Sequence, residues 1–335
     1  MAAGRGARRL RIATFNLESL DDRPDVAPAF DTRVAALRPL LQRLDADVLC
    51  LQEGNGRRPE GGGPRGLPAL DRLLEDTPYA GFHRAASASV HPGHGAADKH
   101  NLVILSRWPL RDVRQIRHDR MAPPSYRFAA ARPPAEAAVP VAWERPVLAA
   151  AVELPEGRPL HLLDLHLRAP LAAPVPGGKT GAFAWADVPA WAEGFFLATV
   201  KRVGQAAEAR MAVDAILDAE PDALVCVAGD CNAEEREMPL RVLRADPDDT
   251  GNPALAGRAL ESLDARIPAA RRYSLIHAGR RLMLDHLLAS PALARACTRV
   301  EVLNADLPDE TRAQHAPASH PESFHAPLLA DFDLG

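Results

Sequence analysis

The chain is poor in cysteine, carries no excess of positive charge and lacks a long apolar run. Its four cysteines among 335 residues show no CxxC spacing, so neither a zinc knuckle nor a disulfide framework is indicated. The net charge of −4 gives no global positive field for a polyanion, so a nucleic-acid contact would have to come from local patches. Without an apolar leader or a run of roughly 18 apolar residues, the sequence predicts a cytoplasmic protein with no membrane span and no evident obligate protein partner.

What is present is enough apolar sequence for a full core, at 47% of the residues. Residues 1–9 are predicted to be a disordered tail, and residues 10–335 a single domain. Helices are predicted over 31–44, where Pro39 should bend the helix, and over 194–219. Apolar runs predict strands at 10–18, 46–53, 101–110, 147–154, 160–167, 222–230, 282–290, 298–303 and 326–334. Strict alternation of strand and helix fails, which favours a mixed-sheet α/β sandwich over a doubly wound sheet.

Polar side chains recur where these apolar runs end. Charged side chains are seldom fully buried unless they are paired or bind a cation, so several at strand ends suggest a shared site at one rim of a sheet pair. The residues at or just beyond such ends are Asn16, Glu18, Glu53, His166, Asp230 and Asn232, with Asp285 inside LMLDHLL and His325 just before APLLADF.

Seven short segments carry a family resemblance in chain order: TFNLE, DVLCLQE, NLVILSRWPL, LLDLHL, VAGDCNAE, LMLDHLLAS and SFHAPLLADF. Together they resemble the motifs of the endonuclease/exonuclease/phosphatase superfamily, which includes DNase I-like and abasic-site nucleases, sphingomyelinases and inositol-phosphate phosphatases. Each motif alone is weak, but their order is specific. The resemblance implies a four-layer α/β (α+β) sandwich of two mixed, mostly antiparallel sheets packed face to face with helices outside, and a site at one end.

The resemblance also implies a metal. Glu53 matches the family's metal ligand, with Asn16 beside it, and Asp230 would activate the attacking water and touch the ion. A hard cation such as Mg²⁺ or Mn²⁺, held by few carboxylates, suits charge stabilisation on phosphoryl oxygens. In the last motif Phe324 stands where the family usually has an aspartate, which favours one ion over two.

The remaining catalytic residues are assigned by the same resemblance. His166 and His325 would contact the phosphate, and imidazole titrates near neutrality. Asp285 would fix the tautomer of His325. Asn232, two residues after Asp230 and expected on the same strand face, would hold a phosphate oxygen or the water.

Three further features have two interpretations each. The spacing of His315, His320 and His325 allows a zinc site, but a mobile loop is favoured because prolines forbid a helical presentation. The five arginines of 107–120 form either a nucleic-acid patch or, as we favour, a solvated face. In the insertion 168–202, Trp191, Phe195 and Phe196 are expected to pack a helix onto the core, whereas Phe183 and Trp185 could form a base-stacking wall.

The sequence therefore predicts a metal-dependent phosphodiesterase, and a nuclease in particular. The substrate would be nucleic acid or a small phosphate ester. A phosphatase or phosphodiesterase for a small phosphorylated metabolite or lipid headgroup is the alternative. A catalytically silent member that binds phosphate ligands or a protein is the third hypothesis, and Phe324 is the feature that favours it.

Overall fold

Most of the predicted strands are present, with shifted ends. The computed structural model of the protein describes residues 9–313 and 320–335. Within these ranges the strands are Arg9–Leu20 (β1), Val48–Gly54 (β2), His83–Ala86 (β3), Asn101–Ser106 (β4), Leu110–Ile116 (β5), Ser125–Tyr126 (β6), Val139–Pro140 (β7), Val147–Glu153 (β8), Pro159–His166 (β9), Leu224–Asp230 (β10), Glu261–Ser262 (β11), Leu275–His277 (β12), Arg280–Leu282 (β13), Asp285–Ala289 (β14), Cys297–Val302 (β15) and Leu328–Asp333 (β16). The helices are Phe30–Leu44 (α1), Pro68–Leu74 (α2), Val188–Ala219 (α3), Met238–Arg244 (α4), Pro247–Thr250 (α5), Pro291–Ala296 (α6) and Glu310–Ala313 (α7).

The strands form two six-stranded sheets with a common plan. Sheet 1 has the order β15-β16-β1-β2-β4-β3, and sheet 2 has the order β11-β14-β10-β9-β8-β5. In each sheet the central pair is parallel, β1 with β2 and β10 with β9, and its flanking pairs are antiparallel. The mixed, mostly antiparallel sheets of the predicted sandwich are therefore confirmed, as is the hairpin of β8 and β9.

Three apolar clusters produce the four layers. One joins the inner faces of both sheets, with Ile12 and Cys50 from sheet 1 meeting Leu162 and Cys226 from sheet 2. A second packs α1 and α2 on the outer face of sheet 1. A third packs α3 and α4 on the outer face of sheet 2. Because both sheets share the central cluster, the packing supports a single domain, which stays a prediction.

The inner faces change from apolar to polar toward one rim. Along β9, alternation points Leu160, Leu162, Asp164 and His166 to the same face. On β10 the corresponding residues run from Leu224 through Cys226 and Ala228 to Asp230, the last residue of the strand. Both central strands of sheet 2 thus end in polar groups at the rim where the parallel strands finish.

Several element boundaries differ from the predictions, and three of them bear on the site or the insertion. β1 begins at Arg9, inside the predicted tail, and residues 1–8 lie outside the described residues. α3 begins at Val188 rather than 194, because the Asp187 side chain accepts the Ala190 N–H at 2.8 Å and caps the helix. β14 begins at Asp285 rather than 282, since Ser274 Oγ accepts the Asp285 N–H at 3.1 Å.

The aromatic insertion packs differently from the prediction. Trp191 and Phe196 on α3 are 44% and 52% exposed, so the expectation that they pack onto the core is wrong, and Phe195 is half-buried. The helix approaches the body through small residues instead: a Cβ on Gly204 would lie 2.5 Å from the ring of Trp143. Phe183 is 98% exposed. Glycine is thus required where α3 approaches the body most closely.

The structure also locates the predicted helix bend, the basic segment and the spaced histidines. Pro39 lies inside an uninterrupted α1. β5 runs through the basic segment 107–120 at the edge of sheet 2, where Arg111 and Arg114 are exposed as a solvated face. His315 lies outside the described residues, and no metal-binding group found within them includes His320. No helix in the described part of the chain is long and apolar enough to cross a membrane.

Candidate active site

Three predicted site residues form a row across the end of sheet 2. Asp230 on β10 is directly opposite His166 on β9 and Asp285 on β14. Residues in register on neighbouring strands share a face, so all three side chains point toward sheet 1. All three are buried. The row follows from strand alternation alone, which is why the sequence could predict it.

Sheet 1 supplies Asn16 and Glu53 to the same place. Asn16 Nδ2 donates to Asp230 Oδ2 at 3.0 Å and lies 3.3 Å from Glu53 Oε1. His166 Nε2 lies 3.5 Å from Glu53 Oε1 and 3.4 Å from Asp230 Oδ2. The two carboxylates therefore flank a small polar space bounded by Asn16 and His166, although Glu53 and Asp230 are 177 positions apart in the chain.

Strained backbone re-aims the sheet 1 residues. Alternation along β2 turns Gln52 inward and would turn Glu53 outward, but Glu53 has φ 65° and the β2–β4 register shifts there. Glu18 and Ser19 have φ 51° and 48° at the end of β1, and Ser19 N donates to Glu53 Oε2 at 2.8 Å. Left-handed backbone at non-glycine residues costs free energy and concentrates at functional sites.

His325 and Asp285 form a tight pair beside Asp230. His325 Nδ1 and Asp285 Oδ2 are 2.7 Å apart, and His325 Nε2 faces Asp230 Oδ2 at 4.0 Å. The carboxylate thus holds the proton on Nδ1 and leaves Nε2 to point at the polar space. This is the arrangement that the family resemblance implied for Asp285.

Asn232 reaches the site by a turn rather than along the strand. β10 ends at Asp230, and Asn232 has φ 47°, so the expectation of a shared strand face is wrong. Its N–H donates to Asp230 Oδ1 at 2.8 Å, and its Nδ2 lies 3.1 Å from Asp230 Oδ2 and 3.0 Å from the Leu167 carbonyl oxygen. Asn232 therefore orients the Asp230 carboxylate, and the segment is at once a turn and part of the site.

Burial and neighbouring charges divide the acids into two kinds. Burial raises the pKa of Asp230 to about 7, with Asp285 adding to the effect and His325 opposing it. Burial acts to lower the pKa of His325, but the carboxylates of Asp285 and Asp230 outweigh it, so this pKa lies well above its usual range. Asp230 is thus tuned to exchange a proton near neutrality, and His325 is held as a cation.

Glu53 behaves in the opposite way. Burial acts to raise its pKa, but the contact with His100 and the positive charge of the Arg145 guanidinium hold that pKa well below its usual range. Burial, together with the Arg145 charge, lowers the pKa of His166 well below its usual value. Glu53 is therefore a permanent carboxylate beside a neutral imidazole.

These residues fit a divalent cation. The ligand atoms of Glu53, His100 and His166 lie within 4.8 Å of one another, as do those of Asp230, Asp285 and His325. His166 Nδ1 and Asp285 Oδ1 are buried and have no hydrogen-bond partner within residues 9–313 and 320–335. Carboxylate oxygens are the ligands that Mg²⁺ and Mn²⁺ prefer, and both groups offer them.

Two site neighbours were missed from the sequence. His100 has φ 59°, and its Nδ1 lies 3.6 Å from Glu53 Oε2. Arg145 Nη1 donates to the Leu167 carbonyl oxygen at 3.1 Å, beside Asn232. Neither residue ends an apolar run, so the signal that found the others did not mark them. The available signal for Arg145 was its position two residues before the β8 run.

A sequence profile described as the Endonuclease/Exonuclease/phosphatase family matches residues 13–307. The chain belongs to this family. No curated protein matches the sequence. Among solved structures, a truncated *Caenorhabditis elegans* TDP2 superposes with a TM-score of 0.56 at 13% identity, covering 97% of this chain and 98% of that one. A 3′-5′ exonuclease (NExo) from *Neisseria meningitidis* gives 0.54 at 19% identity, covering 97% and 100%. The human Nocturnin catalytic domain gives 0.55 at 18%, covering 97% and 93%.

At these identities the structural neighbours show that the family fold is shared. Phe324, which stands where the family usually has an aspartate, lies beyond the matched range. Its side chain packs against Leu275 in a small apolar cluster. Its backbone N–H donates to Glu18 Oε2 at 2.9 Å. A carboxylate thus touches the backbone of the position at which the family usually has aspartate.

Proposed function

We propose that this family member is a divalent-metal-dependent phosphoesterase that hydrolyses phosphodiester bonds, and that it is a nuclease. The observation that carries the proposal is the Asp230 carboxylate, which is buried within 4.0 Å of His166, Asn16 and His325. A base with a pKa near neutrality, a cation opposite it and a permanently charged acid nearby are the groups that phosphate hydrolysis needs. TDP2, NExo and the AP endonuclease of Archaeoglobus fulgidus share the fold, and the last two are named as nucleases.

The residues divide the work as follows. Asp230 accepts a proton from the attacking water, and Asn232 holds the Asp230 carboxylate in position. His325, kept protonated by Asp285, binds a phosphoryl oxygen and donates the leaving-group proton through Nε2.

Neutral His166 and the Asn16 amide hold the remaining phosphate oxygens. Glu53, with Asn16 and Asp230 beside it, would hold one Mg²⁺ or Mn²⁺. When bound, that ion supplies charge neutralisation on the phosphoryl group. Because Asn16 contacts both carboxylates, it keeps Glu53 and Asp230 at a fixed separation.

The test compares wild type with Asp230→Ala on bis(p-nitrophenyl) phosphate with Mg²⁺ or Mn²⁺. We expect a loss of about 10³-fold or more in kcat for the variant, because general-base catalysis is removed. Asp222→Ala is the matched control, since Asp222 is an aspartate whose side chain is 87% exposed. Equal turnover by wild type and Asp230→Ala would reject an enzyme of this kind and favour a silent, phosphate-binding member.

A substrate panel then separates nuclease from phosphatase. Plasmid, single-stranded DNA, RNA and phosphomonoesters are compared under the same conditions. We expect the nucleic acids to be cleaved with the highest kcat/KM. Turnover of monoesters alone would replace the nuclease by the phosphatase for a small phosphorylated metabolite or lipid headgroup.

A further inference from the structure

A group of basic side chains lies beside the candidate active site. Arg145 Nη1 and Asn232 Nδ2 both donate to the Leu167 carbonyl oxygen, at 3.1 and 3.0 Å. The Arg145 guanidinium therefore lies within about 6 Å of an amide that itself contacts Asp230. Arg145 is the point at which the catalytic residues and the basic group meet.

The basic group extends from Arg145 to Arg168 and Lys201. Gln205 ties the first two together, because its Oε1 accepts the Arg168 N–H at 2.9 Å and its Nε2 donates to the Arg145 carbonyl oxygen at 3.2 Å. Glu144 faces the group, with Lys201 Nζ in contact and Arg168 Nη1 at 4.0 Å. Two cations thus flank one carboxylate.

One exposed carboxylate neutralises part of the group. The Glu144 side chain is 62% exposed, so a phosphate can displace it at small cost. Arg168 Nε is buried and has no hydrogen-bond partner among the described residues. Burying a guanidinium donor without a partner costs free energy, so an anion that satisfied it would be favoured.

Resting on the proposed function, we propose that Arg145, Arg168 and Lys201 bind a second phosphate group of the substrate, next to the phosphate that is hydrolysed. Arginine forks suit bidentate phosphate recognition, and lysine adds a point charge. The subsite would select substrates with at least two phosphates, such as consecutive phosphodiesters of a nucleic-acid strand, over isolated esters. On a protein with a net charge of −4, this local group would supply the positive field that a polyanion needs.

The first experiment measures selectivity with matched dinucleotides. d(TpT) has one phosphate and d(pTpT) has two, with the same bases. We expect wild type to prefer d(pTpT) in kcat/KM by about tenfold, the effect of one well-placed charged contact. The double variant Arg168→Gln/Lys201→Gln should reduce this preference to about twofold or less. Arg114→Gln on the exposed edge strand β5 is the control and should keep the full preference.

Two comparisons identify the source of the second phosphate and guard against misfolding. Glucose 1,6-bisphosphate and glucose 1-phosphate form a small-molecule pair. A preference confined to that pair and lost in the double variant would support the subsite and assign it to a metabolite. Melting temperatures check that the variants fold, and Arg168→Lys should restore part of the preference lost in Arg168→Gln.

A binding measurement separates this inference from the proposed function. Calorimetry on Asp230→Asn compares inorganic pyrophosphate with orthophosphate, without turnover. Tighter binding of pyrophosphate that depends on Arg168 and Lys201 supports the subsite even if wild type cleaves no diester, in which case only the proposed function fails. Diester cleavage with no preference in wild type, or with a preference that the double variant keeps, overturns the subsite and leaves the proposed function intact.

Discussion

Sheet 1 and sheet 2 share a strand order in which antiparallel strands flank a central parallel pair, yet they hold their polar residues by different means. In sheet 2, Asp285, Asp230 and His166 lie in register on three neighbouring strands. In sheet 1, left-handed backbone at Glu18 and Glu53 interrupts the alternation. Regular register gives a fixed row of acid–base groups, whereas strained backbone brings a carboxylate across to meet it.

The largest effect should follow from breaking the sheet 2 row at Asp285. Asp285→Asn removes the charge that keeps His325 protonated and oriented, so we expect kcat on a phosphodiester to fall by about 10³-fold. Metal affinity measured by calorimetry should change little. The exposed Asp222→Asn is the control, and unchanged kcat in Asp285→Asn would show that His325 needs no carboxylate partner.

Removing the carboxylate that sheet 1 supplies should weaken metal binding rather than proton transfer. Glu53→Gln removes a permanent carboxylate that would bind the ion directly, so we expect Mn²⁺ affinity to fall by at least about 100-fold, the most that losing an outer-shell partner costs a metal site. Calorimetric titration measures it. Saturating metal should restore part of the activity. An unchanged dissociation constant would move the metal to the group around Asp230 and Asp285.

The dependence of kcat/KM on pH distinguishes the contributions of the two sheets, because their acids titrate in different ranges. Asp230 has a pKa of about 7 and is the base only when deprotonated. We therefore expect kcat/KM to rise about tenfold per pH unit in acid and to level off at or below about pH 7. A bound cation would shift this rise in kcat/KM to lower pH. A rate that falls as pH rises from 5 to 7 would contradict the assignment of Asp230 as base.

The smallest effect concerns the buried layer beneath the site. Asp164 Oδ1 accepts from Gln52 Nε2 at 2.7 Å, and burial raises the pKa of Asp164 well above its usual range. Its folded pKa exceeds its unfolded pKa, so the stability it contributes is full below the unfolded value and is lost as pH rises toward the folded value.

Asp164→Asn replaces the neutral acid by an isostere that does not titrate. Relative to wild type, we expect the free energy of unfolding of the variant to rise by about 1 kcal/mol per pH unit between pH 5 and 7. Urea unfolding at several pH values measures the difference. Parallel pH curves for the two proteins would mean that Asp164 is ionised in the folded state.

These differences explain how far the sequence could go. The polar residues in and at the ends of apolar runs predict that Asp285, Asp230 and His166 gather at one rim. Cross-strand register then aligns the three side chains in a row. The final position of Glu53 depends on a left-handed residue and a register shift, which no alternation pattern encodes. The end of an apolar run marked Glu53, and motif order gave it the metal-ligand role, but neither predicts how its side chain turns inward.

Related physical reasons explain why the sequence patterns missed one residue and misplaced two others. Arg145 precedes its strand rather than ending one. It reaches the site through a long-range hydrogen bond to the Leu167 carbonyl oxygen. Trp191 and Phe196 were expected inside because they are apolar. Close approach of α3 instead requires small residues such as Gly194, where a Cβ would lie 2.5 Å from the Ala173 carbonyl oxygen.

The position of β16 has a consequence for the order of events in synthesis. This strand inserts between β15 and β1, and His325 lies just before it. The imidazole can meet Asp285 only after the ribosome has released residues beyond 325 and the late strand has docked against the first one. A nascent chain would thus lack the His325–Asp285 pair until β16 has docked against β1.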